Sequence, residues 1–219
     1  MFTGIIEAVG KVAKITPTGK DISLTIDSQG LDLSDVKLGD SIATNGVCLT
    51  VTSLGPRSYS ADLSVETLKL TSFADASVGS SVNLEKAMQA STRFGGHIVS
   101  GHVDGVGEII SRQELGRAIE FWVKCPPALA KYVAHKGSIT VDGISLTVNE
   151  VNGAEFKLTI VPHTSDETTI TRFVAGTKVN LEVDVIARYL ERLLQGDSAA
   201  EKASSGVTMS LLAESGFLK

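Results

Sequence analysis

Apolar and polar residues alternate one by one through much of the chain. Ile22, Leu24 and Ile26 are separated by Ser23 and Thr25, and Tyr59, Ala61 and Leu63 by Ser60 and Asp62. A period of two belongs to a strand with one buried face. The rhythm returns 97 positions later in Ile119, Phe121 and Val123, and again in Phe156, Leu158 and Ile160. Val82 and Leu84 return in the same way as Val179 and Leu181. Short strands punctuated by Gly19, Gly30, Gly55-Pro56 and Gly79 predict a small closed barrel in each half. Two stretches of the second half break the alternation, "PALAKYVAHKG" ending at Gly137 and "ETTITRFVAG" ending at Gly176. They predict brief helices, capped by those glycines and placed as lids or plugs. Ile186, Tyr189, Leu190, Leu193 and Leu194 recur at helical spacing before Gly196, and this apolar stripe needs a partner surface.

The shift of 97 holds without a gap. "NGVCLTV" from Asn45 meets "DGISLTV" from Asp142, and "VNLE" at Val82 meets "VNLE" at Val179. Gly4 meets Gly101, Ser41 meets Ser138, Thr67 meets Thr164 and Gly79 meets Gly176. A period this long marks a duplicated domain, because solenoid units run about 20 to 50 residues. The expected domains are 1–97 and 98–184, followed by an oligomerisation helix over 185–196 and a flexible tail over 197–219. "MSLLAESGFLK" within that tail could form one more turn.

Composition narrows the class. The 219 residues carry a net charge of −5, 42% apolar and 21% charged residues, as expected for two ordinary globular domains. An acidic chain lacks the basic stripe that a phosphate backbone requires, so neither nucleic acid nor an anionic membrane is an expected partner. "MFTGIIEAVG" has no basic lead and no apolar run long enough to span a bilayer. The expectation is a cytoplasmic protein. Cys48 and Cys125 fall at unrelated positions of the repeat, which suits reduced thiols.

Most of the matched positions are Ser, Thr and Gly. Turns explain each one singly, but together in both copies such hydroxyls and exposed amides suit a neutral, polyhydroxylated, heteroaromatic ligand. Cys48 and Thr50 share one strand face, as do Ser145 and Thr147, so the copies offer a thiol and a hydroxyl in equivalent places. Of the four histidines, His97, His102, His135 and His163, His102 stands where the first copy has Ile5. That asymmetry is expected if one copy must handle a proton. His97 and His102 lack ligand-spaced partners for zinc. Gly101, Gly105 and Gly107 do not spell a dinucleotide fingerprint, and no Gly-x-Ser-x-Gly elbow occurs.

"MFTGIIE", "NGVCLTV", "GGHIVSGHVDGVG", "KGSITVDGISLTV" and "VNLEVDVIARYLERLL" closely resemble riboflavin synthase of the duplicated-barrel, alpha-chain type, from Met1 to about Leu194. The resemblance implies an all-β fold of two tandem six-stranded Greek-key barrels with a C-terminal α-helix. It also implies a homotrimer, no cofactor, no metal, and association with lumazine synthase. The implied reaction is a dismutation of two 6,7-dimethyl-8-ribityllumazine molecules into riboflavin and 5-amino-6-(ribitylamino)uracil. One substrate sits in each barrel, and a four-carbon unit passes between the first barrel of one subunit and the second barrel of a neighbour.

Carried over by position, the first pocket would use Gly4, Ile5 and Ile6, then Cys48, Leu49 and Thr50, then Asp62, Leu63, Ser64, Val65, Glu66 and Thr67. The second would use Gly101, His102 and Val103, Lys136, Ser145, Leu146 and Thr147, then Thr159, Ile160, Val161, Pro162, His163 and Thr164. His163 departs from the carboxylate expected by analogy with Glu66. Phe2, Ser41, Cys48, His102, Ser145, Thr147 and Asp184 match positions that matter for catalysis. A lumazine methyl is a carbon acid, so a base must face it, with His102 and Thr147 the candidates. The acceptor ring needs a nucleophile, which Cys48, Ser145 or water would supply. Two other classes compete. A lumazine antenna protein would bind without turnover, and Arg57-Ser58-Tyr59-Ser60 fits the flavin motif of ferredoxin-reductase-like barrels.

Overall fold

The computed structural model describes residues 1–200. Six strands form the first half: β1 (Ala8–Thr18), β2 (Asp21–Asp27), β3 (Ser41–Thr44), β4 (Val47–Gly55), β5 (Ser58–Leu63) and β6 (Ser81–Lys86). The second half holds β7 (Gly105–Leu115), β8 (Ala118–Lys124), β9 (Ser138–Val141), β10 (Ile144–Asn152), β11 (Glu155–Ile160) and β12 (Lys178–Val183). Each strand of the second set begins and ends 97 residues after its counterpart, as from Ala8 to Gly105 and from Lys86 to Val183. Both sets close into antiparallel barrels, in the orders β1-β2-β5-β4-β3-β6 and β7-β8-β11-β10-β9-β12. The jump from β2 to β5 is the long Greek-key return.

The alternating residues fill the interiors. Leu24, Ile26, Ala61, Leu63 and Leu84 are wholly buried in one core, and Phe121, Val123, Phe156 and Leu181 in the other. The tight β3–β4 and β9–β10 hairpins need two successive positive-φ residues, and they have Asn45-Gly46 (46° and 78°) and Asp142-Gly143 (46° and 79°).

Helices depart from expectation in two ways. The stretch before Gly137 forms a 3-10 helix over Pro127–Tyr132, and the one before Gly176 forms α2 (Pro162–Asp166) with a 3-10 helix over Thr169–Arg172. Both stop short of their glycines: Gly137 donates to Ala134 and Gly176 to Ile109, so they serve the turns into β9 and β12 rather than caps. The first half also has α1 (Val65–Leu70) and a 3-10 helix over Ser72–Asp75, segments too short to show a helical period. Leu129, Ile170 and Phe173 join the second core, so the second-half helices act as plugs.

The C-terminal helix, α3, spans Val185–Leu194, and Gly196 follows with φ 54°. Residues Gly196–Ala200 form a 3-10 turn. The turn expected in "MSLLAESGFLK" lies outside the described residues. Both barrels belong to one compact unit, Met1–Ala187, and a second unit begins at Arg188. Among the described residues no helix is long and apolar enough to cross a membrane.

A pseudo-twofold axis relates the barrels. Phe2 and Val99, which are repeat partners, form an antiparallel bridge with each other (N···O 2.8 and 3.1 Å). Gly46 and Gly143, also partners, meet so closely that a Cβ on either would lie 2.7 Å from the other's amide nitrogen. Pairs of equivalent residues can touch only on the axis. Around it, Asn83 donates to the Asp142 carbonyl and accepts from the Thr169 amide, while Asn180 donates to the Asn45 carbonyl and accepts from the Ser72 amide.

Candidate functional site

On β4, Val47, Leu49 and Val51 enter the core while Cys48 and Thr50 face outward. On β10, Ile144, Leu146 and Val148 do the same, leaving Ser145 and Thr147 outside. The faces carrying the predicted chemistry are therefore the outer faces of the barrels, and Leu49, Leu63, Leu146 and Ile160 from the predicted pockets are core residues. Extending the β4–β5 register puts Thr50 opposite Asp62, and the β10–β11 register puts Thr147 opposite Thr159. All four are exposed.

What covers these faces corrects the expected grouping. The segment before β1 does not lie over its own barrel. The Gly4 carbonyl accepts from the Ser145 amide at 2.8 Å, and a Cβ on Gly4 would sit 2.6 Å from the Ser145 Cβ. Reciprocally, the Gly101 carbonyl accepts from the Cys48 amide at 2.9 Å, and a Cβ on Gly101 would sit 2.7 Å from the Cys48 Cβ. Both glycines have positive φ, 76° and 80°, so only glycine serves. Ile6 packs against the second core and Val103 against the first. The two segments are exchanged straps. Gly4, Ile5 and Ile6 go with Ser145, while Gly101, His102 and Val103 go with Cys48. His102 and Thr147, paired above as the base, thus belong to different faces. Phe2 is buried where the straps cross, in a cluster with Ala43 and Val99 that also receives Cys48.

The second face has a feature that sequence missed. His97 Nδ1 lies 2.7 Å from Ser145 Oγ, in a geometry suited to proton exchange. Burial holds the imidazole below its ordinary pKa, against the pull of the Asp184 carboxylate, so the ring is neutral near pH 7 and able to accept a proton. His97 Nε2 is buried without a partner. Asp184 itself caps α3 by accepting from the Ile186 amide at 3.0 Å.

The remaining predicted residues lie around these faces. Ser41 pairs with Thr50 across β3 and β4. Ser64 caps α1 by accepting from the Thr67 amide at 3.1 Å, with Val65 partly covered and Glu66 exposed. In the second half Val161 stands at the cap without a side-chain bond, Pro162 opens α2, His163 is exposed, and the Thr164 carbonyl accepts from Thr168 Oγ1. Lys136 is exposed with φ 64°, where the equivalent Gly39 has 91°. A lysine held in the left-handed region is strained, and such strain gathers at functional positions. The Arg57 motif fails as a flavin site, because Tyr59 points into the first core and its hydroxyl bonds Thr44 Oγ1 at 2.6 Å.

Three cavities lie elsewhere. One of about 400 Å³ straddles the axis between Asn45, Phe73, Asp142 and Phe173, and another of about 400 Å³ lies beside Thr3, Ile5, Glu85 and Arg93. A third, about 290 Å³, includes Ser41. None of these three is lined by Cys48, Thr50, Ser145 or Thr147. Thr50 and Thr147 are exposed beside the straps, while Cys48 and Ser145 beneath them are half-buried.

The lumazine binding domain matches this chain twice, over residues 3–87 and 100–184. Riboflavin synthase of Photobacterium phosphoreum is 60% identical over 218 residues, covering 100% of both chains. Riboflavin synthase of Photobacterium leiognathi is 54% identical, covering 96% of this chain and 97% of its own. The crystal structure of LumP complexed with riboflavin shares the fold, with a TM-score of 0.77 and 23% identity over 84% of this chain and 99% of that one. Two matched domains and full-length relatives agree with the paired barrels: the chain belongs to the riboflavin synthase family.

Proposed function

We propose that this chain converts two molecules of 6,7-dimethyl-8-ribityllumazine into riboflavin and 5-amino-6-(ribitylamino)uracil, one lumazine on each outer face. The observation that carries this reading is the pair of equivalent faces with different chemistry, Cys48 under one strap and the Ser145–His97 pair under the other. A dismutation uses one compound in two roles, and two copies of a site diverged at the reacting groups suit that.

On the second face, His97 takes a proton through Ser145 from the methyl of the donor lumazine, and Thr147 faces the resulting anion. On the first face, the Cys48 thiol or a water beside it adds to the acceptor ring and later leaves, while His102 on the covering strap serves proton transfer there. Asp62 to Thr67 and Thr159 to Thr164, with Lys136, hold the ribityl chains. Orientation supplies much of the acceleration, since holding two reactants in register can contribute about 7 to 11 kcal/mol.

The exposure of Thr50 and Thr147 supports completion of each face by a second copy, and a homotrimer belongs to this reading. Its apolar α3 stripe includes Leu193 and Leu194, 74% and 87% exposed. Truncation after Asp184 is expected to abolish trimers in sedimentation. A cytoplasmic setting and association with lumazine synthase rest on the family alone.

The test is incubation of the pure protein with the lumazine as sole substrate. One riboflavin is expected per two lumazines consumed. Binding without riboflavin would replace this reading with that of an antenna protein.

A further inference from the structure

Both straps are held by one device. Glu85 on β6 is buried, and its Oε1 accepts from the Thr3 amide (2.6 Å) and hydroxyl (2.7 Å) while its Oε2 accepts from the Gly4 amide (2.9 Å). Thr3 Oγ1 in turn accepts from the Ile5 amide at 3.2 Å. Glu182 on β12, also buried, repeats the pattern: Oε1 takes the Ser100 amide (2.7 Å) and hydroxyl (2.5 Å), and Oε2 the Gly101 amide (3.0 Å). Each carboxylate spends its accessible lone pairs on a strap that covers the other barrel. Glu85 of the first barrel fixes Gly4 over Ser145, and Glu182 of the second fixes Gly101 over Cys48.

We propose that Glu85 and Glu182 are positioning residues acting in trans between the barrels, so that each barrel governs the lumazine face of its neighbour. The straps themselves meet at the Phe2–Val99 bridge, so the two faces share one hydrogen-bonded crossing on the axis. Hydrogen bonds to a charged group are stronger than those between neutral groups. A glutamine cannot replace the carboxylate, because its amide would present N–H to the Gly4 or Gly101 N–H. The consequence is a displaced effect. Damage at β12 appears on the first barrel and damage at β6 on the second. The part of this proposal that concerns ligand rests on the reading of these faces as lumazine sites.

The experiment compares Glu85→Gln with Glu182→Gln in the full chain, with one reporter on each face. Cys48 alkylation by iodoacetamide reports the first face, with the buried Cys125 as internal control. The His97 ring nitrogen signals in NMR report the second. Glu182→Gln is expected to speed Cys48 alkylation about tenfold, the local opening that about 1.4 kcal/mol permits, and to leave the His97 signals in place. Glu85→Gln is expected to shift the His97 signals and to change Cys48 labelling less than Glu182→Gln does, because its effect reaches Cys48 only through the Phe2–Val99 crossing. Protection of Cys48 by 6,7-dimethyl-8-ribityllumazine should weaken in Glu182→Gln more than in Glu85→Gln. Each variant disturbing the reporter of its own barrel, both disturbing both equally, or neither moving either would overturn the proposal. If a glutamine variant does not fold, Ser100→Ala removes the hydroxyl bond to Glu182 and Thr3→Val removes the hydroxyl bond to Glu85 together with the acceptor of the Ile5 amide, and both must show the same crossed pattern, weaker. A protein that neither binds nor converts lumazine would sink the proposed function, yet alkylation and NMR would still decide the wiring.

Discussion

The two barrels share strand boundaries, hairpins and strap clamps, and differ where a side chain can titrate. Asn45 of the first becomes Asp142 in the second, Gly39 becomes Lys136, Ile5 becomes His102, and Cys48 becomes Ser145 with His97 beside it. The shared positions hold the backbone: Gly4 and Gly101 for the close approach, Glu85 and Glu182 for the straps, Asn83 and Asn180 for the axis. Core positions exchanged one buried residue for another, as from Leu24 to Phe121 and from Ala61 to Leu158, while groups presented to solvent or to the axis changed their chemistry. Each difference defines a swap that should fail to be neutral.

The largest expected effect lies on the axis. Asn45 Oδ1 accepts from the Asn83 amide, and Asp142 Oδ1 from the Asn180 amide, both at 2.7 Å. Burial pushes the Asp142 carboxyl from 3.8 up to about 7, opposed by the Asn180 bond. A raised carboxyl pKa means the native state binds a proton that the unfolded chain releases. Stability from this group is therefore lost as pH climbs from about 4 to 7, by up to about 4 kcal/mol at 1.36 kcal/mol per unit. Asp142→Asn keeps the acceptor and removes the charge. It should raise the melting temperature at pH 8 by about 10 °C and change nothing below about pH 4. Asn45→Asp should lower it at pH 8. Calorimetry at the two pH values checks both, and equal effects at pH 4 and 8 would show that charge is not the cause.

The next swap concerns the reacting groups. Ser145→Ala and His97→Gln should each lower kcat about hundredfold with little change in KM, as expected for a proton handled in the transition state. Their double variant should be no worse than either alone, because the pair acts as a unit. Cys48→Ser should lose about tenfold, since a hydroxyl or water still adds to the ring, and Cys48→Ala more. Steady-state kinetics separates these outcomes. Full activity in Cys48→Ala and Ser145→Ala together would reduce both to space-filling.

Most of the fold was legible in sequence. Burial follows the alternation of Leu24 and Ile26 or Phe121 and Val123 directly, and the gapless shift of 97 predicts the second barrel from the first. The strap exchange was not legible. A symmetric swap of Gly4 and Gly101 leaves the repeat unchanged, so the sequence is equally consistent with each strap on its own barrel. His97 was missed for a related reason. It stands between the two stretches that match the repeated domain, 3–87 and 100–184, where a comparison of copies says nothing. The α1 helix escaped because six residues give fewer than two turns.

The smallest expected effect tests whether Lys136 earns its strain. Lys136 and Gly39 hold the same turn, their amides donating to Val148 and Val51 at 2.8 and 2.9 Å. A side chain at φ 64° costs about 1 to 2 kcal/mol relative to glycine. Glycine returns about 0.4 to 1 kcal/mol of that through the freer unfolded chain. Lys136→Gly should therefore stabilise the fold by between nothing and about 1.6 kcal/mol, measured by urea unfolding. If the ammonium holds substrate, the same variant should raise KM about tenfold with a smaller change in kcat. Lys136→Met separates the two effects, because it keeps the strained backbone and loses only the charge. It should raise KM as much as glycine does and leave stability unchanged. Unaltered KM in both variants would reduce Lys136 to a turn residue, and the second face would then hold its ligand as the first does, with a glycine at that corner.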